Sequence, residues 1–547
     1  MKASVEWLKE YSDIDVDTIK LGDILTMTGS KVETIDQKGN DIKNVVIGKI
    51  LEIEKHPDAD KLVITKVDVG TEILQIVTGA NNIKENDIVP IAKDGAELPG
   101  GIKIKTGKLR GVESCGMMCS VGELGLDLAD YPGQIDHGIM ILDKELEKEI
   151  GKDVVEILNL KEDIIDFEIT PNRPDCLSIE GLGRETAVSL NKEFKNPRKN
   201  IDELKVKAKN EIEGLKVDIT APDLCYRYIA RAVKDVKIGP SPKWLTRRLK
   251  ACGIRSINNI VDITNYVMLE MGQPMHAFDI NSIEGKHITV RRAKNGEKIT
   301  TLDEQERNLD ENDLVICDDT DAMALAGIRG GKKDSILPET TGVVVEVANF
   351  IASTIRKTGK RFDEKTDASI RYEKNLDTER VSQGIALALQ LFKEIFPESK
   401  VVAFNDVYPI KTQREVIDVS EEFLNVRLGK VLPRETIEKV LKALGYDVEY
   451  KDKVYHVVVP VWRSTGDVSL KDDVMGDIAR LLSFESFEAK PLTIKFEHAV
   501  LQNKVLLEQR LKQYLAFRCG FNEILNNSLT RAAYYDGLET YPSNRLV

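Results

Sequence analysis

Apolar residues at helical spacing open the chain, predicting a short helix around Val5 to Tyr11 and a second around Leu21 to Met27, stopped by Gly29 before a strand. From Val45 the texture changes to short β-branched segments punctuated by Gly, Pro and Asn: VVIGKILEIEKH, KLVITKVDVG, ILQIVTGA, DIVPIAKDG and GIKIKTGKLRG. Five short strands with turns at this spacing predict a small barrel. Helical periodicity returns in VVEILNL and SIEGLGRETAVSLNKEF, and the prolines of the intervening ITPNRPDC forbid one continuous helix. The charged stretch NPRKNIDELKVKAKNE, residues 196–211, then reads as a linker.

Residues 210 to 380 mix strands such as HITVRRA and VVVEVANF with helices such as PKWLTRRLKACG. In that helix Ser241 is placed to cap, Pro242 sits in the first turn and Gly253 falls just past the end. A new unit begins near Val401, with LPRETIEKVLKALG helical between Pro433 and Gly445 and a strand pair running through YHVVVPVW. An amphipathic helix over Val505 to Phe517, ended by Gly520, starts a last segment. The pattern as a whole predicts a multidomain α+β chain without solenoid repeats.

Composition agrees with several folded cores. At 547 residues the chain exceeds the roughly 250 to 300 residues one core supports, and 42% hydrophobic with 31% charged residues is ordinary for a folded protein. No apolar run is long enough for a membrane span, and Glu6, Lys9 and Glu10 stand where a secretory signal would be apolar, so a cytoplasmic location is expected. Seven cysteines scattered from Cys115 to Cys519 give no disulfide framework. Cys115 and Cys119 lack the second ligand pair a zinc site needs. A net charge of −13 does not exclude nucleic acid, because binding depends on local clusters. Three are visible: Lys103, Lys105, Lys108 and Arg110; Lys243, Arg247, Arg248, Lys250 and Arg255; and Arg356, Lys357, Lys360 and Arg361. Each also reads as a solvated face.

HPDADKL at 56–62, IVTGANN at 76–82, LPGG at 98–101 and KLRGVESCGMMCS at 108–120 together resemble the OB-fold tRNA-binding domain of several synthetases. On that barrel Lys103, Lys105, Lys108 and Arg110 are expected along one hairpin, where they would meet phosphates, while His56, before Pro57, reads as shaping a turn. GIRSINNIVDITNYVMLEMGQPMHAFD at 253–279, ALAGIRGG at 324–331, VVVEVANF at 343–350 and KTDASIRYEKNLD at 365–377 resemble the editing domain of bacterial phenylalanyl-tRNA synthetase beta subunits. The resemblance implies an N-terminal helical segment (1–40) packed with a helical connector (151–205), an OB-fold β-barrel (41–150), a mixed α/β editing domain (206–395), a small α+β module (400–482) and the start of a class II synthetase-like domain (490–547). It also implies that the chain is truncated at its C-terminus.

Carried over position by position, the family's editing pocket falls on Arg255, Thr264, Asn265, His276, Glu346, Thr366 and Ala368. Glu346 is expected to recognise the phenolic hydroxyl of a misattached tyrosine, with Arg255, Asn265 and Ala368 as further substrate contacts. His276 and Thr264 are candidates to position the hydrolytic water, and Thr366 with backbone amides near Gly330 and Gly331 to support the carbonyl. Read alone, His276 is more often a structural histidine, and the surrounding match brings the two readings level. VPVWRSTGDVSLKDDVMGDIARLL at 459–482 resembles the family's acidic, Mg²⁺-associated segment, implying Asp467, Asp473 and Asp477 as ligands. The family's Glu-Glu pair is here Gly476 and Asp477, and a solvated acidic helix is the other reading. The implied partners are tRNA(Phe) and an alpha subunit in an alpha2-beta2 heterotetramer, with ATP used by that holoenzyme and not bound by this chain alone. A tRNA-binding protein without catalysis and a freestanding editing factor stay open as alternatives.

Overall fold

The computed structural model describes residues 1–531 apart from 132, 198–214, 334, 490, 492, 497–499 and 530. The linker expected over 196–211 therefore lies, from residue 198 onward, outside the described residues. The chain divides into two compact units, Met1–Phe487 and Glu488–Val547.

In the first unit, strand Lys2–Ser4 runs antiparallel to Glu162–Phe167, which also pairs with Val32–Lys38. Segments before and after the intervening β-rich region thus share one sheet. Helix Val5–Leu8 is shorter than its apolar pattern predicts, because the Glu10 and Tyr11 amides turn to the carbonyls of Trp7 and Leu8, three residues back, at 3.2 and 2.9 Å. Helix Thr18–Met27 starts on Asp17, whose carboxylate accepts the Lys20 N–H at 2.9 Å.

Between these segments a curled sheet carries strands in the order Met117–Met118, Ile88–Leu98, Lys43–Lys55, Val63–Asp68, Ile73–Thr78. No ladder among the described residues closes it into a barrel. Its ends are drawn together by two hydrogen bonds: the Cys115 N–H donates to the Gln75 carbonyl at 2.8 Å, and the Gln75 side chain donates to the Glu113 carbonyl at 2.8 Å.

Two sheets then face each other. One has five strands, Lys216–Ile219, His287–Arg292, Leu314–Cys317, Ala322–Leu325 and Arg329–Gly330 in that order; the other has Met275–Asp279, Gly342–Phe350, Cys225–Lys234 and Lys400–Val407. Lys400–Val407, which the sequence assigns to the following module, hydrogen-bonds instead along Cys225–Lys234 from Tyr228 to Lys234. Its adjacent buried residues Val402 and Ala403, at a shift in the ladder register, join the core between the sheets. The other face of the four-stranded sheet, with Ile229, Val343, Val345 and Val347, packs on helices Asn259–Met271 and Arg380–Ile395. Helix Lys243–Ala251 forms as expected, but Ser241 does not cap it: its hydroxyl donates to Asp262 at 2.6 Å.

The last module of the first unit sets strands Val416–Ser420, Val454–Val458 and Asp447–Lys451 against helices Glu421–Leu428, Arg434–Ala443 and Lys471–Leu481. The second unit contains helix Asn503–Cys519, closed by Gly520 at φ 71° and burying none of its residues. No helix among the described residues is long and apolar enough to cross a membrane.

Candidate functional site: a buried acid between two sheets

All nine residues of Gly342–Phe350 are buried, as a strand covered on both faces requires, and four of the nine are valine. Alternation sends Val343, Val345 and Val347 to the helices and Val344, Glu346, Ala348 and Phe350 into the space between the sheets. Glu346 is thus a carboxyl group in an apolar interior, 6% exposed. The ladders place it directly opposite Ala230 on one neighbouring strand and His276 on the other. Directly opposed residues share a face, so the His276 ring and the Glu346 carboxyl lie side by side on the inner face.

Burial controls both ionisations. It pushes Glu346 up to about 8, and it lowers His276 to about 4, although part of the His276 surface stays solvent-accessible. At neutral pH the pair is therefore an undissociated acid beside a neutral imidazole. Glu346 Oε2 is buried with no hydrogen-bond partner, and so are the Tyr228 hydroxyl and Gln273 Oε1. Tyr228 lies close enough to lower the Glu346 pKa somewhat, yet the pair falls short of hydrogen-bond geometry at Oε2. Neither ring nitrogen of His276 has a hydrogen-bond partner among the described residues, unlike a satisfied structural histidine. The ring stands edge-on to Phe278, centroids 4.8 Å apart, and over Gly330, where an added Cβ would lie 2.7 Å from its Cε1 and Nε2.

The remaining residues singled out by the sequence take different places. Thr366 caps helix Asp367–Tyr372: its hydroxyl donates to the Ile328 carbonyl at 2.9 Å and accepts the Ser369 N–H at 3.1 Å, which ties this helix to the strand bearing Gly330. Ala368 lies half-buried in that helix's first turn. Thr264 is buried on helix Asn259–Met271 and donates to the Val261 carbonyl at 2.7 Å; Asn265 beside it is half-buried, and Arg255 is exposed in the preceding loop. No hydrogen bond among the described residues joins Arg255, Thr264, Asn265, Thr366 or Ala368 to Glu346 or His276. The Gly331 amide, expected to be available for a carbonyl, donates to Met323 at 2.7 Å within the sheet. Sequence reasoning passed over Tyr228 and Gln273. A tyrosine hydroxyl inside the Ile- and Ala-rich strand YRYIARAV was the signal for the first.

The four cations of the β-rich region are spread out. Lys103 sits on strand Ile102–Lys103, paired to Glu97 at 2.9 Å; Lys105 follows it; Lys108 is on a separate hairpin, Gly107–Leu109 with Val112–Ser114, and Arg110 is at its turn with φ 49°. A single hairpin bearing all four is therefore not what the chain forms, because Gly107 begins a new two-stranded sheet. His56 shapes its turn as expected. Its Nδ1 accepts the Asp58 N–H at 3.1 Å, and Nε2 lies 3.2 Å from the carbonyl of Leu109, next to the turn of the hairpin.

The acids read as Mg²⁺ ligands do not fit the ion. Asp477 accepts from the Tyr446 hydroxyl at 2.6 Å and Arg480 at 2.8 Å and pairs with Arg463 at 3.2 Å. Asp467 is held by Arg463 and by Asn172 at 2.7 Å, and Asp473 accepts the Ser469 and Leu470 amides at 3.0 and 2.8 Å. Fixed guanidinium charge stands where a cation would have to enter. A buried trio outside this set, Asp175, Cys176 and Glu185, is likewise filled by Arg173, whose Nη2 lies 2.8, 3.0 and 2.6 Å from them.

Three family models match the chain: a putative tRNA binding domain over residues 45–153, a B3/4 domain over 224–397 and a tRNA synthetase B5 domain over 417–484. Glu346, His276 and Tyr228 all lie within the second. The phenylalanine–tRNA ligase beta subunit of Clostridium acetobutylicum is 44% identical over 98% of this chain and 66% of its own length. The beta subunit of Clostridium tetani is 41% identical over 98% and 66%, and that of Syntrophus aciditrophicus 39% identical over 96% and 64%. The chain thus spans just under two thirds of the curated relatives it matches, and the three matched domains follow one another along it. With this identity along nearly its whole length, the chain belongs to the family of phenylalanine–tRNA ligase beta subunits.

Proposed function

We propose that this chain binds tRNA(Phe) and hydrolyses mischarged Tyr-tRNA(Phe), supporting ATP-dependent Phe-tRNA(Phe) synthesis by an alpha subunit in an alpha2-beta2 heterotetramer in the cytoplasm. The observation that carries this reading is Glu346: a buried carboxyl with an unpartnered oxygen, across a strand pair from a partner-free imidazole. An unpaired polar atom in an apolar interior costs about 1–3 kcal/mol, and a ligand hydroxyl reaching it recovers that loss. A synthetic pocket shaped for phenylalanine rejects the extra hydroxyl of tyrosine only by roughly a hundredfold, so accuracy beyond that needs a second site that hydrogen-bonds the hydroxyl.

In hydrolysis His276, neutral at working pH, orients the attacking water by accepting its hydrogen bond; a pKa near 4 makes it a poor store for the proton. Thr264 and Thr366 retain oxygen lone pairs that can accept from that water. Thr366 also fixes the strand segment on which the His276 ring rests. Arg255, which is exposed, and the half-buried Asn265 would meet the tRNA end, and Ala368 would keep the wall small. Lys103, Lys105, Lys108 and Arg110 supply phosphate contacts. Any Mg²⁺ used in synthesis belongs in this reading to the assembled enzyme, and Asp467, Asp473 and Asp477 serve as partners for arginine.

The test is release of tyrosine from Tyr-tRNA(Phe), by the chain alone and with an alpha subunit added. Glu346→Ala and Thr366→Ala are expected to slow release at least tenfold. Intact Tyr-tRNA(Phe) in both settings would overturn the reading in favour of a tRNA-binding protein without catalysis.

A further inference from the structure

Three buried side-chain oxygens without a hydrogen-bond partner belong to residues on, or bonded to, the strands of the inner face. Glu346 Oε2 and the Tyr228 hydroxyl are two of them, and Tyr228 is 0% exposed. The third, Gln273 Oε1, belongs to a side chain whose Nε2 donates to the Ala348 carbonyl at 3.0 Å. Ala348 is the residue paired across the ladder with Tyr228 and two positions along the strand from Glu346. Tyr228 is therefore the diagonal neighbour of Glu346 on the same face, within reach for an aromatic side chain. Ala230 and Ala348 keep the intervening positions small.

A buried tyrosine hydroxyl normally finds a partner, and one left empty beside an equally empty carboxyl oxygen costs stability twice over. The two groups differ in character. The carboxyl oxygen accepts, and the tyrosine O–H donates. A phenol hydroxyl carries one donor and free acceptor lone pairs, so it matches both at once. A phenyl ring would cover both and satisfy neither.

Resting on the editing reading, we propose that Tyr228 is a second specificity-determining residue, donating its hydroxyl proton to the oxygen of the substrate phenol while that phenol donates to Glu346. Discrimination against phenylalanine then comes from two unsatisfied groups and not one. Gln273 holds the Ala348 end of this arrangement and has no direct part in recognition.

Tyr228→Phe removes one oxygen and keeps the buried ring, so the fold is retained; its thermal midpoint is expected to equal or exceed that of the wild type. Deacylation is measured on Tyr-tRNA(Phe) and Phe-tRNA(Phe), with and without an alpha subunit, beside Glu346→Ala. The proposal expects kcat/KM on Tyr-tRNA(Phe) to fall about tenfold in Tyr228→Phe, the worth of one buried hydrogen bond to a good partner, with Phe-tRNA(Phe) unchanged or faster. An equal fall on both substrates would make Tyr228 a packing residue and overturn the proposal. A wild-type rate in Tyr228→Phe while Glu346→Ala is impaired would overturn it and leave the editing reading standing. If neither variant is impaired, the editing reading itself fails.

Discussion

An acid and a base buried side by side give the protein two opposing pH dependences. Glu346 has its pKa raised from 4.5 to about 8, so the folded state binds more protons than the unfolded one between those values and stability falls as pH rises through them. His276 has its pKa lowered from 6.5 to about 4; between those values the unfolded state binds more protons, and stability rises with pH. The two slopes, each at most about 1.4 kcal/mol per pH unit, oppose one another up to pH 6.5, and above it the Glu346 slope remains. Glu346→Gln is therefore expected to abolish the loss of stability between pH 6.5 and 8, as read by urea unfolding across that range; an unchanged slope would mean that Glu346 ionises in the fold as it does in water. Gly330→Ala probes the same site from below. A Cβ 2.7 Å from two ring atoms must displace His276, so deacylation should drop at least tenfold while far-ultraviolet circular dichroism stays unchanged. At this scale the sequence motifs named Glu346 and His276, because VVVEVANF sets a carboxyl and PMHAF an imidazole in an otherwise mostly apolar strand. Tyr228 stayed hidden because its polar atom is a single oxygen on a ring that any core would accept, and only the strand register brings it to Glu346.

Strands and turns carry the nucleic-acid side of the account. Of the four cations, Lys103 is paired with Glu97, and Lys108 and Arg110 belong to a hairpin whose turn end is held by His56. Lys105, Lys108 and Arg110 changed together to Ala should weaken tRNA binding and flatten its salt dependence, each lost phosphate contact lowering the log–log slope by about 0.7–0.9. Filter binding over roughly 50 to 200 mM salt reads this, and an unaltered slope would move the tRNA surface elsewhere. His56→Ala should give a weaker version of the same effect by freeing the hairpin. Element types were largely legible, since period-two runs and capped helices are local signals. Element partners were less so: Lys400–Val407 looked like the start of the next module, and only its ladder with Cys225–Lys234 assigns it to the sheet that bears Glu346. Ser241, well placed as a cap by spacing, was drawn away by the buried carboxylate of Asp262.

Across the first unit, a chain of buried ion pairs joins the 416–487 module to the N-terminal segments. Arg480 reaches Glu185 at 2.6 Å, the Thr28 carbonyl at 2.8 Å and Asp477 at 2.8 Å, while Arg173 reaches Glu185 at 2.6 Å from the other side. Removing one partner of such a network leaves charge buried and unpaired, so Arg480→Ala is expected to cost about 3–5 kcal/mol in urea unfolding and to make the 416–487 module the first segment released by limited proteolysis. Arg434→Ala, which breaks an exposed pair with Glu438, should change little. Of the acids in this network only Asp477 stood out in the sequence, as an implied metal ligand; the pairing of Glu185 with Arg480, nearly 300 residues away, could not be read from it. The function proposed for the whole molecule depends on the buried acid selecting a hydroxylated ring. The most direct measurement is the deacylation rate of Tyr-tRNA(Phe) relative to Phe-tRNA(Phe), with an alpha subunit present, in the wild type and in Glu346→Ala. A strong preference for the tyrosyl ester is expected in the wild type and its loss in the variant; equal rates on the two esters in the wild type, or a preference that survives the substitution, would rule out selection by Glu346.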